Sequence, residues 1–240
     1  MGTTASVEIS DPLPAARLAS LVDEVFAFLH SVDAQFSTYR SDSEVSLLNA
    51  VRGGAPSPVM QAVLSRCAAL ADRTNGYFSA YATGTLDPSG FVKGWAAQVA
   101  SDRLAAAGAL NHCINAGGDV RVRGLNPSGE PWRVGVRHPF TPDAVCCVVV
   151  GTDLAVATSG VYERGHHVLD PFTGDPAIGL RSVTVVGPDL GEADGLATAA
   201  VAMGLDGVAW LSTLDGYASA VITDDGRFLC SDNLPLAEFR

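Results

Sequence analysis

The sequence predicts an α/β (α+β) chain in which mixed sheets pack against helices as one compact unit. Three observations carry this. Apolar residues at helical spacing dominate the first 107 positions. Short β-branched runs cut by Gly and Asp turns fill positions 112–186. Two further helical runs and a hairpin then close the chain.

Val7 and Ile9 put a strand at the start. Asp11-Pro12, followed by Leu18, Leu21, Val22, Val25, Phe26 and Leu29, predicts a capped amphipathic helix over 12–32. The polar run Ser37–Glu44 is a loop, and Val45, Leu47 and Leu48 mark a short helix ending near Asn49. A longer helix covers 58–73 and is closed by Gly76. Beyond the Asp87-Pro88-Ser89-Gly90 turn, a helix over 92–107 ends at Gly108, with Lys93 on its first turn, a position suited to an anion. Strands follow at 112–123, interrupted at Gly117-Gly118, and at 132–137, 145–150, 154–158, 167–169 and 181–186. Helices over 193–203 and 206–214 precede a hairpin of 217–223 and 228–230, turned by Asp224-Asp225-Gly226. No internal repeat, low-complexity tract or linker interrupts the 240 residues, which read as a single domain or as two intimately packed lobes.

Composition narrows the function classes. Hydrophobic residues make up 48% of the chain, but no run of about twenty apolar residues occurs, which argues against a membrane span. The formal net charge is −11 and the fifteen Lys and Arg are scattered, which argues against a nucleic-acid surface. An anionic ligand must then be held by local devices: a metal ion, helix N-termini or one lysine. Five cysteines, odd in number and without a C-x-x-C pair, suit reduced core thiols of a cytoplasmic protein rather than a zinc site. The first residues carry neither a basic start nor an apolar h-region, so no signal peptide is read; the Gly2/Ser6 myristoylation pattern yields to the strand.

Four stretches carry chemistry. Asp194 and Thr198 stand four apart, so on a helix they share a face. They either hold one cation through oxygen, Mg²⁺ being the natural choice, or Asp194 caps the helix while Thr198 packs along it. His167, before Asp170-Pro171, is either a base for a hydroxyl nucleophile or a half-buried residue satisfied by backbone; His166 reads as an exposed loop residue. Asn115-Ala116-Gly117-Gly118-Asp119 is either a loop that lets backbone approach a ligand or a β-bulge. Tyr39 either stacks on an aromatic ligand or is an ordinary, partly exposed tyrosine.

Taken together, F-S-T-Y-R-S-D-S-E-V-S-L-L-N, L-D-P-S-G-F-V-K-G-W-A, N-A-G-G-D-V-R-V-R-G, A-T-S-G-V-Y-E-R-G-H-H-V-L-D-P-F-T-G and A-D-G-L-A-T-A-A-V-A-M-G resemble, in this order and over nearly the whole chain, the FAD:protein FMN transferases of the ApbE family. The resemblance implies a T-fold-like architecture and an enzyme that takes FAD as substrate with Mg²⁺. Such an enzyme attaches FMN through a phosphoester to a Thr or Ser in a D/S-G-A-T-like motif of an acceptor flavoprotein and releases AMP. It also implies roles. Asp194 and Thr198 become metal ligands, with the carbonyls of Gly90 and Ala197 completing the shell. Asp87, Lys93 and the Gly117-Gly118-Asp119 loop contact FAD, Met1 and Tyr39 pack on the flavin nucleotide, and His167 activates the acceptor hydroxyl. Two departures stand out. Ser79 occupies a position where the family often has Asp, and the lipobox cysteine of exported members is missing, so either the acceptor is cytoplasmic or a leader precedes this sequence. The alternative activities are an Mg²⁺-dependent FAD diphosphatase giving FMN and AMP, and a non-catalytic flavin-binding protein.

Overall fold

The structure is a computed structural model that describes residues 3–50, 54–141, 143–160 and 168–238. Its elements run β1 (Ala5–Ile9), α1 (Ala15–Phe36), α2 (Glu44–Ala50), α3 (Pro58–Arg73), α4 (Ser89–Ala106), β2 (His112–Ala116), β3 (Asp119–Arg123), β4 (Trp132–Arg137), β5 (Val145–Gly151), β6 (Asp153–Gly160), β7 (Leu180–Gly187), α5 (Leu190–Ala202), α6 (Asp206–Leu211), β8 (Ala218–Thr223) and β9 (Phe228–Cys230).

Seven strands form one antiparallel sheet in the order β1-β2-β3-β6-β7-β8-β9, and β4 pairs with β5 separately. Strand alternation assigns the two faces of the large sheet. Ile114, Ala155, Ala157, Val183 and Val185 pack under the helices, whereas Val120, Val122, Val156 and Val186 pack under β4 and β5 with Trp132, Val134 and Val149. Two apolar layers therefore sandwich the large sheet, which fits the predicted class.

Several boundaries move. The first helix spans 15–36 rather than 12–32, because Leu13 precedes a proline and is held out of helical geometry, and Pro14 is the N-cap residue without a side-chain bond. Asp11 does not cap it; its carboxylate accepts from the Asn111 amide at 2.8 Å and the Asn111 side chain at 2.9 Å. The fourth helix begins at Ser89, so Lys93 lies on its second turn instead of its first. The helix expected at 193–203 starts at Leu190 with Asp189 as N-cap, its carboxylate accepting from Glu192 N at 2.8 Å. Asp194 is consequently inside the helix and does not cap it. The helix expected to reach 214 stops at Leu211. Gly117-Gly118 is the two-residue turn of a hairpin, with φ of 60° and 94°, and not a bulge. Of the strand expected at 167–169, Leu169 makes an isolated bridge to Pro176, and His167 lies outside the described residues, as do His166 and Met1. Cys67 and Cys147 are buried and all five thiols are free, but Cys230 is exposed on the edge strand, so it is not a core thiol.

His112 shows how α4 is tied to the sheet. Its Nδ1 lies 2.8 Å from the Ala109 carbonyl, which can only accept, so Nδ1 carries the proton and Nε2 accepts from the Ser101 hydroxyl at 2.7 Å. Burial pushes the imidazole pKa below its ordinary value, against the raising effect of the Ala109 carbonyl. With a folded pKa below the unfolded one, this group's contribution to stability is fully present above about pH 6.5 and is lost as pH falls towards the folded value. Denaturant titrations at pH 7.5 and pH 5.5 should show a steeper loss on acidification in the native protein than in His112→Gln.

Candidate active site

The apolar helix α5 crosses α4 at a glycine contact. A Cβ on Gly94 would lie 2.4 Å from the Leu190 carbonyl and 2.8 Å from the Asp194 Cβ, and one on Gly191 would lie 3.1 Å from the Trp95 Cα. The close approach lets the Gly94 amide donate to Asp194 Oδ2 at 3.0 Å. It also brings the second turn of α4 and the second turn of α5 to one wall of a cleft.

The space at that cleft, including the part open to solvent, is about 1060 Å³, and it is bounded by the 77–90 segment, the β2–β3 turn, the end of β6, and α5. Asp87, Gly90, Lys93, Gly117, Asp194 and Thr198 all line it. Tyr39 does not; it stands 81% exposed between α1 and α2. Gly118, Asp119 and Ala197 are absent from the lining too: Gly118 completes the hairpin turn, Asp119 lies behind Lys93, and Ala197 is buried within α5.

Each wall has a local cause. The Asp87 loop is clamped by Asn49, whose amide donates to the Leu86 carbonyl at 2.9 Å and accepts from the Leu86 amide at 2.8 Å. Asp87 Oδ1 then accepts from Ser89 N at 3.0 Å and starts α4. Gly117 meets Thr3 so closely that a Cβ would fall 2.1 Å from the Thr3 hydroxyl, and its φ of 60° disfavours other residues as well.

Lys93 is the only basic side chain among the described residues lining the cleft. Its ammonium is ion-paired with Asp119 and lies 4.0 Å from Asp194 Oδ1. Asp119 is fully buried, and its Oδ1 accepts from Thr158 N at 3.1 Å. Burial, then the neighbouring Asp119, hold the Asp194 pKa well above the usual carboxylate range; Lys93 and the Gly94 amide act in the opposite direction. Two carboxylates thus share one ammonium, leaving a deficit of positive charge at the wall.

Among the described residues no three His, Cys, Asp or Glu side chains group as a metal site. The oxygen set here is of another kind: the Asp194 carboxylate, the Thr198 hydroxyl one turn on, and the backbone at Gly90, where a Cβ would meet Thr198 Oγ1 and Cγ2 at 3.3 Å. Few carboxylates with neutral oxygens beside them, and two buried carboxyl groups facing one ammonium, fit Mg²⁺, which takes oxygen ligands and keeps positions for phosphate.

Ser159, missed in the sequence reading, also lines the cleft, with Oγ 3.1 Å from Thr198 Oγ1. Its place in A-T-S-G, at the end of β6, was the available signal. Ser79 lines the cleft as well, and its hydroxyl accepts from Tyr81 N at 3.1 Å in a local turn.

The sequence model of the ApbE family matches residues 1–84 and 79–222. An FAD:protein FMN transferase from Vibrio cholerae is 28% identical over 266 aligned residues, covering 85% of this chain and 79% of that protein. One from Rhodobacter capsulatus is 34% identical over 158 residues, but the match spans 62% of this chain and only 30% of that longer protein. The solved flavin transferase ApbE from Vibrio cholerae superposes with a TM-score of 0.83 at 27% identity, covering 97% of this chain and 94% of that one.

Proposed function

The chain belongs to the ApbE family, and from that premise we propose that it is an FAD:protein FMN transferase. The oxygen of a Thr or Ser hydroxyl on an acceptor flavoprotein attacks the FMN-side phosphorus of FAD. The bond from that phosphorus to the oxygen bridging to AMP breaks, AMP leaves, and the hydroxyl proton passes to a base. The observation that carries this reading is the convergence, on one cleft wall, of Asp194 and Thr198 from α5 with Gly90 and Lys93 from α4.

In this proposal Asp194, Thr198 and the Gly90 carbonyl hold Mg²⁺, with the Ala197 carbonyl as a further ligand. The bound ion would neutralise the diphosphate, the main demand of phosphoryl-type transfer. Lys93 supplies the fixed positive charge, held in place by Asp119. Gly117 leaves backbone open to the nucleotide, Gly118 completes the turn that presents it, and Asp87 orients the entry to α4. His167 is assigned as base, and Met1 and Tyr39 as contacts of the flavin nucleotide; Tyr39, being exposed, would have to close over a bound ligand. The D/S-G-A-T-like acceptor motif is part of the same proposal. So is a reducing, cytoplasmic setting, which the five free thiols suit. Among the described residues no helix is long and apolar enough to cross a membrane.

The test is AMP release from FAD and Mg²⁺, with and without an acceptor domain carrying that motif, read beside in-gel flavin fluorescence. The expected result is a fluorescent acceptor with AMP in equal amount. AMP and free FMN without labelling would make the protein a diphosphatase, and FAD binding without AMP would make it a flavin binder.

A further inference from the structure

We propose that Ser159 is a positioning residue for the cleft's cation site, accepting the Thr198 hydroxyl proton so that a Thr198 lone pair is presented to the metal. The inference rests on the Mg²⁺ assignment made above for Asp194 and Thr198.

The two hydroxyl oxygens are 3.1 Å apart, a hydrogen bond in which either could donate. A hydroxyl that ligates a cation has to point its proton away from it, and a proton so directed needs an acceptor. Of the polar neighbours, the structure puts Ser159 Oγ at hydrogen-bond distance. Cation binding therefore fixes the direction of the bond, with Thr198 donating and Ser159 accepting. On its other side Thr198 approaches the backbone of Gly90 closely, since a Cβ there would lie 3.3 Å from both its methyl and its hydroxyl.

The position of Ser159 is itself rigid. It belongs to β6, paired with Val183 of β7, and the preceding Thr158 is held by Asp119 through its amide and by Thr184 through its hydroxyl at 2.9 Å. The same strand end thus supports both charged parts of the wall: Thr158 braces Asp119, which holds Lys93, and Ser159 braces Thr198.

The experiment titrates Mg²⁺ into the FAD-bound protein and follows the rise in melting temperature, alongside the Mg²⁺ concentration that half-activates AMP release. Ser159→Ala is expected to raise both half-points about tenfold, in line with losses of outer ligand-orienting groups, while the melting temperature without Mg²⁺ stays unchanged. Ser159→Thr, which keeps the hydroxyl, is expected to restore the native half-points. Unchanged half-points in Ser159→Ala would overturn the proposal, as would a loss that Ser159→Thr fails to restore. Asp194→Asn is the control for the underlying assignment: if it too keeps the native Mg²⁺ response, the cation site itself is misassigned. If it loses the response while Ser159→Ala keeps it, only the role of Ser159 fails.

Discussion

Asp194→Asn is expected to lower AMP release from FAD by on the order of 10²–10³-fold while leaving the protein at least as stable as the native chain. The two effects separate because Asp194 serves the cleft at a cost to the fold. Its carboxylate is buried beside Asp119, and its raised pKa means that the folded state favours the protonated form. For a carboxylate whose folded pKa lies above the unfolded one, the stabilising contribution is present at low pH and is lost as pH rises through the folded value. At neutral pH this buried carboxyl group therefore costs stability, and asparagine removes the ionisable group while keeping an oxygen to accept from the Gly94 amide. Thermal unfolding at pH 7.5 beside steady-state AMP release checks both halves. A variant that unfolds more easily and loses activity in proportion would place Asp194 in the scaffold instead of the chemistry.

The second large effect runs the other way. Lys93→Met is expected to cost about 3 kcal/mol, because it leaves Asp119 and Asp194 buried without their ammonium. For a chain of this size that corresponds to a fall in melting temperature of roughly 6–12 °C. Acidification should reduce the deficit, since protonating either carboxylate removes the unpaired charge. A deficit that is the same at pH 5 and pH 8 would show that Lys93 stabilises through its methylene stem rather than its charge.

These effects concern residues that the sequence revealed unevenly. The amphipathic helices were legible because Leu21, Val25 and Leu29 repeat at the helical period against a solvated face. The start of α5 was not, for a definite reason: from Leu190 to Ala202 nearly every residue is buried, so no polar face marks a period, and Asp189 and Asp194 are equally plausible caps by composition. The Asp194/Thr198 pair was legible through its spacing of four, which holds on any helix. The Lys93–Asp119 ion pair was not, because it joins a helix to a strand through tertiary packing that no local pattern encodes. For Tyr39 the sequence left stacking and exposure open, since spacing does not say where a loop side chain points, and the side chain is exposed.

The glycine contact between α4 and α5 also bears on when the cleft comes into being. Gly94 and Asp194 are 100 positions apart, and between them run the β2–β3 hairpin, the β4–β5 pair and two further strands of the large sheet. This wall of the cleft cannot exist in a partly folded chain in which only local structure has formed, because its two halves meet through a loop closure of 100 positions. Any ligand that grips both helices adds its binding free energy only to states in which the two are already docked. Saturation with such a ligand should therefore slow unfolding far more than it speeds folding, which makes the occupied cleft a kinetic lock on the finished protein.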